Sequence, residues 1–163
     1  MTITRILVPT DFSPDADAAL RYAIDLAKPF GAGVDLLHVV EDPLAAGMWS
    51  AEFYTAEIAG LSVNLVKNAE ARLRGIVDET KAPLRLSSEV RIGPAFATIL
   101  DAAREHGADL IVMGTKGRTG LAHLLMGSVA ERVVRLAPCP VLTVRPTAHE
   151  GVTARKDPVT AAA

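Results

Sequence analysis

Asp109-Leu-Ile-Val-Met-Gly114-Thr-Lys-Gly117-Arg-Thr-Gly-Leu-Ala-His-Leu-Leu-Met-Gly127-Ser128 opens on an apolar run and closes on a glycine and a serine. Leu110 to Met113 is too short for a helix and is bounded by turn residues, so it reads as a buried strand. Gly127-Ser128 then reads as the start of a helix that carries Val129, Val133 and Leu136 on one face. A strand, a small-residue loop and a helix start form a cradle for phosphates. Glycines let backbone amides approach an anion, and a helix start aims its N–H groups and the positive end of its dipole at it.

The same alternation runs outward from this stretch. Ile3 to Val8 is a first strand ended by Pro9-Thr10-Asp11, and Ser13-Pro14 is an N-cap followed by proline in the first helical turn. Ala18, Ala19, Tyr22, Ala23, Leu26 and Ala27 recur at helical spacing until Pro29 and Gly31. Val34 to Val40 is a second strand, apolar enough to be buried on both faces. Between Glu41 and Gly60 the pattern breaks at Pro43 and Gly47 around Trp49, Phe53 and Tyr54. That segment is expected to be a loop with some helix. Its aromatic cluster reads as a lid or, more simply, as packing against the next helix or another subunit.

Leu61, Leu65, Ala69, Leu73, Ile76 and Val77 mark a long second helix. Leu84, Leu86, Ser88 and Val90 alternate with Arg85, Ser87, Glu89 and Arg91, which places a third strand with one polar face at a sheet edge. Gly93-Pro94 opens a third helix, with Ala95, Ile99, Ala102 and Ala103 inward and Gly107 as its stop. After the glycine loop and fourth helix, Pro138-Cys-Pro140 leads into a fifth strand, Val141 to Val144. Alternating strands and helices imply right-handed crossovers and a parallel sheet covered on both faces. Ligands in such sheets sit beyond the carboxyl ends of the strands, where the winding reverses, and the glycine loop falls on that edge.

Composition bounds the function. The 163 residues are most simply one domain, expected over 1–146, with a disordered tail over 147–163 that has no periodic apolar pattern. Half the chain is hydrophobic but only 4% aromatic, so aliphatic side chains must build the core. A net charge of -2 argues against nucleic acid as a partner. The lone Cys139 excludes a disulfide framework and a multi-cysteine metal site. No run approaches the roughly 20 apolar residues of a membrane span, and the first residues enter a strand at once, so the expected location is cytoplasmic.

Familiar phosphate motifs do not fit. The turn after the first strand has no glycine, against a dinucleotide site, and no lysine stands between Gly127 and Ser128, against a P-loop. What remains is glycine, two residues, glycine, nine residues, glycine, serine, at Gly114, Gly117, Gly127 and Ser128. This resembles the nucleotide-binding motif of universal stress proteins. Val8-Pro9-Thr10-Asp11-Phe12-Ser13, Leu37-His38-Val39 and Pro138-Cys-Pro140-Val141-Leu-Thr-Val144 look like the same family, so the likeness extends over roughly Thr2 to Arg145.

The resemblance implies a single doubly wound α/β domain whose five-stranded parallel sheet has the order 3-2-1-4-5 with helices on both faces. For the ATP-binding branch it implies Asp11, beside Pro9 and Thr10, near ribose or phosphates, and Val39 at adenine. It places Met113 and Gly114 along the nucleotide's edge, and Gly117, Gly127, Ser128 and Val129 on phosphate and ribose. The expected function is a cytoplasmic stress-response module that binds ATP, with Mg2+ accompanying the triphosphate, and pairs as a homodimer through the fifth strand. Alternatives are a slow ATPase on the same site or a partner-binding protein with an empty cleft. No catalytic base with an orienting partner is recognisable, so at most weak hydrolysis is expected. Residue by residue, plainer readings compete: Asp11 as a cap on local amides, His38 as a hydrogen-bonded histidine, Cys139 as structural. Lys116, Arg118 and His123 stay outside the core site as loop residues.

Overall fold

The computed structural model describes residues 2–41, 56–116 and 126–146. Among the described residues nine elements follow in strict alternation: β1 (Arg5–Thr10), α1 (Pro14–Phe30), β2 (Gly33–Val40), α2 (Ala56–Glu79), β3 (Leu86–Ile92), α3 (Ala95–His106), β4 (Leu110–Gly114), α4 (Ser128–Leu136) and β5 (Val141–Val144). All pairings are parallel, in the order β3-β2-β1-β4-β5, as expected. Trp49, Phe53, Tyr54, Gly117, Arg118, His123 and the tail 147–163 lie outside the described residues.

Strand alternation divides the core into two layers. Ile6, Val8, Val34, Leu36, Leu110 and Val112 pack with Ala19, Ala23 and Ala27 of α1 and Leu73 of α2. Leu7, Leu37, Ile111 and Met113 point the other way, against Ile99, Ala102 and Ala103 of α3 and Ala130 and Val133 of α4. The buried members of both layers are aliphatic, with alanines on the helix faces letting helix and strand approach closely, and rings enter only at the margins, Phe12 in the first layer and Phe96 in the second.

Local chemistry sets the helix ends. Ser13, with extended backbone, accepts from the Ala16 amide, Pro14 occupies the first turn, and Asp15 and Asp17 add negative charge at the positive end of α1. The helix runs on past Pro29 to Phe30, because a proline in the last turn removes only one late hydrogen bond. Gly31 at φ 63° then takes the left-handed cap. At the start of the sheet Asp109 accepts from the Thr4 hydroxyl at 2.7 Å, the Thr4 amide at 2.8 Å and the Arg5 amide at 3.0 Å. These bonds, the Thr4 hydroxyl first, hold its carboxyl below the usual carboxylate range.

One boundary needs correction, and one face proves richer than its pattern. β1 extends beyond Val8 through Pro9 to Thr10, because its pairing with β2 continues to Thr10 opposite His38. The polar face of β3 is not simply solvated. The Ser87 hydroxyl donates to Asp35, whose side chain is only 8% exposed, and Arg5 Nε stands 3.4 Å from the same carboxylate. His106 at the end of α3 lies 3.4 Å from Asp35 through Nδ1, without hydrogen-bond alignment, and 3.3 Å from Glu89 through Nε2. Arg91 completes the group, bonding Glu89 at 3.0 Å and Glu105 at 2.8 Å. β3 is an edge strand as expected, but its charges interlock across the sheet face with Asp35 of β2 and with Glu105 and His106 of α3.

Candidate functional site

Proline decides where the sheet opens. In a strand the N–H and C=O of one residue point to the same neighbour and alternate along the chain. Arg5 C=O accepts from Asp109 N, so Arg5, Leu7 and Pro9 address β4, whereas Thr4 C=O accepts from Gly33 N and the even residues address β2. Pro9 has no N–H to offer β4. The β1–β4 ladder accordingly covers only Ile6 opposite Leu110 and Leu7 opposite Ile111, while β4 itself runs on to Gly114. Beyond that point β1 and β4 are unladdered, at the position where the winding reverses.

A cavity of about 180 Å³ occupies this place. Pro9, Thr10, Asp11, Val39, Met113, Gly114, Gly127, Ser128 and Val129 line it, so nine of the ten residues singled out from the sequence meet around one space. The tenth, Gly117, lies outside the described residues. Ala16, Leu37, Ala95, Ile99, Thr115, Lys116 and Ala130 also line the wall and were not among those ten. Leu37, Ile99, Ala95 and Ala130 look like core residues in the sequence, which gives no hint that they border a cleft. Lys116, outside the core site in the sequence reading, is part of the lining.

The cleft is lined by two kinds of group. Leu37, Val39, Ile99 and Met113 supply apolar wall, while Thr10, Asp11, Thr115, Ser128 and the start of α4 supply polar groups. Gly127 is the N-cap of α4 with extended backbone, and among the described residues no side chain caps that helix. First-turn amides of α4 therefore remain as donors beside the cavity, reinforced by the helix dipole. The Gly127 amide itself donates to Thr115 C=O at 2.7 Å, which ties the helix start to the end of β4.

Asp15 fixes the other side of the loop. Its Oδ2 accepts from the Lys116 amide at 3.1 Å and the Thr115 hydroxyl at 3.3 Å, a bond across 100 residues that the sequence, where Asp15 reads as a first-turn acid, does not disclose. Gly114 is required by that same approach, since a Cβ there would stand 2.8 Å from Asp15 Cβ and 2.9 Å from its carbonyl carbon. Asp11 Oδ1 accepts from Ser13 N at 3.1 Å, so the carboxylate organises the turn while lining the cavity.

Behind the turn, Phe12 has φ 62°, a left-handed conformation that costs a side-chain-bearing residue roughly 1–2 kcal/mol. Its amide donates to Thr10 Oγ1 at 3.0 Å. His38 is hydrogen-bonded, with Nδ1 2.7 Å from Thr10 C=O. Cys139 is partly buried, and burial pushes its thiol up, which suits a structural residue more than a nucleophile.

The family model described as the universal stress protein family matches residues 2–145. Universal stress protein MJ0531 of Methanocaldococcus jannaschii is 37% identical over 141 residues, covering 86% of this chain and 81% of that one. The solved structure of MJ0577 from the same organism superposes with a TM-score of 0.78 at 29% identity, over 90% of this chain and 99% of that one. A universal stress protein of Archaeoglobus fulgidus, solved in complex with dAMP, shares the fold at 23% identity and a TM-score of 0.55, over 88% and 99% of the two chains. Sequence, sheet order and structural likeness agree: this chain belongs to the universal stress protein family.

Proposed function

We propose that the cleft binds ATP and that the protein is a nucleotide-responsive stress module acting in the cytoplasm. One observation carries this reading: apolar wall and uncapped helix start share a single cavity, which suits a ligand with a flat base at one end and phosphates at the other. The dAMP complex of the A. fulgidus protein supports an adenine nucleotide as the ligand class. In this reading Val39 and Met113 face the base, Asp11 with Pro9 and Thr10 the ribose or phosphates, and Gly114, Gly117, Gly127, Ser128 and Val129 the phosphate arm. Each hydrogen bond to a charged phosphate oxygen contributes about 1.5–3 kcal/mol. Three or four approach the roughly -8 kcal/mol of micromolar binding before association costs.

Mg2+ enters as a companion of the triphosphate. Among the described residues no three His, Cys, Asp or Glu side chains converge as a cage, and Asp11 is the carboxylate on the cavity wall. One carboxylate with phosphate oxygens is an ordinary Mg2+ set, the ion serving to neutralise the phosphates. Asp11 also organises its own turn, so the reading is of a binding module with at most weak hydrolysis.

Mass spectrometry of gently purified protein is expected to find a co-purified adenine nucleotide. ATP at 100 times its dissociation constant is expected to stabilise the fold by about 2.7 kcal/mol, and Gly127→Val to abolish that gain while the ligand-free melting temperature stays near that of the wild type. Wild-type protein without any thermal shift in ATP would reject the site. AMP or a cyclic nucleotide in its place would keep the cleft and change the ligand.

β5 supports a homodimer. It is a four-residue edge of partly exposed Val141, Leu142, Thr143 and Val144, and Val134 and Leu136 on neighbouring α4 are exposed. Pairing β5 with its symmetry mate buries these groups. Sedimentation at micromolar concentration is expected to give twice the protomer mass, and a monomer there rejects the pairing.

A further inference from the structure

The turn that carries Thr10 and Asp11 has a second side. Phe12 is the one residue other than glycine with positive φ among those described, and it follows directly on the two residues that line the cavity. Its ring does not join them. It packs into the α1–α2 layer, with the His38 ring 4.4 Å away at 34° and the Arg72 guanidinium of α2 4.0 Å from its centroid. His38 in turn lies 2.7 Å from Thr10 C=O through Nδ1, and since a carbonyl only accepts, Nδ1 carries the proton and donates. None of Phe12, His38 and Arg72 lines the cavity.

We propose that Arg72, Phe12 and His38 are positioning residues that hold Thr10 and Asp11 in the ligand-binding turn, so that the seating of α2 sets nucleotide affinity from the opposite face of the sheet. A left-handed Phe12 is unfavourable by itself, and relaxing it to an ordinary backbone conformation redirects the chain between Asp11 and Ser13. What anchors the ring therefore anchors Asp11. The cation over the ring and the imidazole bond to Thr10 C=O act on the two ends of one three-residue turn. α2 is also the helix that follows segment 42–55, so a change reaching α2 from outside reaches the cleft through Arg72.

This rests on the nucleotide reading, and the test separates the two. Arg72 is exposed, so Arg72→Ala leaves the core intact. In titration with ATP the variant is expected to bind about fivefold more weakly, with Arg72→Lys, which retains the cation, within about twofold of the wild type. In ligand-free protein the amide resonances of Thr10, Asp11, Phe12 and Ser13 are expected to shift or broaden in Arg72→Ala, while that of Val133 in α4 stays in place. Unmoved turn resonances overturn the proposal, as does unchanged ATP affinity. If the turn resonances move as expected while wild-type protein binds no ATP, the nucleotide reading fails and the positioning of the turn stands.

Discussion

Gly114→Val is expected to lower stability by about 3 kcal/mol or more, the upper end of what overpacking costs, with a fall in melting temperature of about 6–12 °C for a chain of this size. The reason is close approach, because the added Cβ would meet Asp15 Cβ at 2.8 Å, Asp15 carbonyl carbon at 2.9 Å and Ala16 N at 3.1 Å. Two of these are backbone atoms in the first turn of α1. That turn cannot retreat, since the Ser13 cap and the bonds from Lys116 N and Thr115 Oγ1 to Asp15 hold it. Even Gly114→Ala meets the same atoms. Urea denaturation reads the effect, and an unchanged midpoint would show that α1 and β4 can part without loss. The contrast with Gly127→Val is expected to separate two glycines of one motif, the first needed by the fold and the second, on the proposed function, by the binding of a nucleotide.

Asp35→Ala is expected to cost about 3 kcal/mol by the same measurement. The carboxylate is nearly buried and is the common neighbour of the Ser87 hydroxyl, Arg5 and His106, with Arg85 at 4.0 Å. Removing it leaves a cationic group and a hydroxyl at the sheet face without their acceptor, and breaking a buried pair typically costs about 3–5 kcal/mol. The low end applies because the Arg5 side chain is 33% exposed and also donates to His106 C=O at 2.6 Å. Asp35→Asn keeps an acceptor for Ser87 and is expected to lose roughly a third as much. Equal stability of Asp35→Ala and wild type would make the network decorative.

The strands and helices were legible because their apolar positions follow one of two periods, and the cleft residues because they sit at strand ends, where a parallel sheet collects them. Limits came where one residue type serves two purposes. Leu37 and Ile99 are core by every sequence criterion, yet each turns an edge to the cavity. Asp35 is a single acid in an apolar run, and the alternating Arg85, Ser87 and Glu89 were the available signal that a polar layer would meet it. Gly114 was read toward the ligand, whereas the structure adds the first turn of α1 as its nearest neighbour. The bond from Asp15 to Thr115 spans 100 residues, and only the fold brings such partners together.

The two rims of the sheet differ in what they offer a neighbour. Among the described residues β3 pairs with β2 alone and carries Glu89 and Arg91, whereas β5 pairs with β4 alone and carries Val141, Leu142 and Val144. On the proposed pairing through β5 the protomer would be, in polymer terms, a monofunctional monomer. With one rim coupling to its own kind and the other end-blocked by charge, a sheet extended at β5 would terminate after a single coupling, and growth into a fibre would lack its second reactive end.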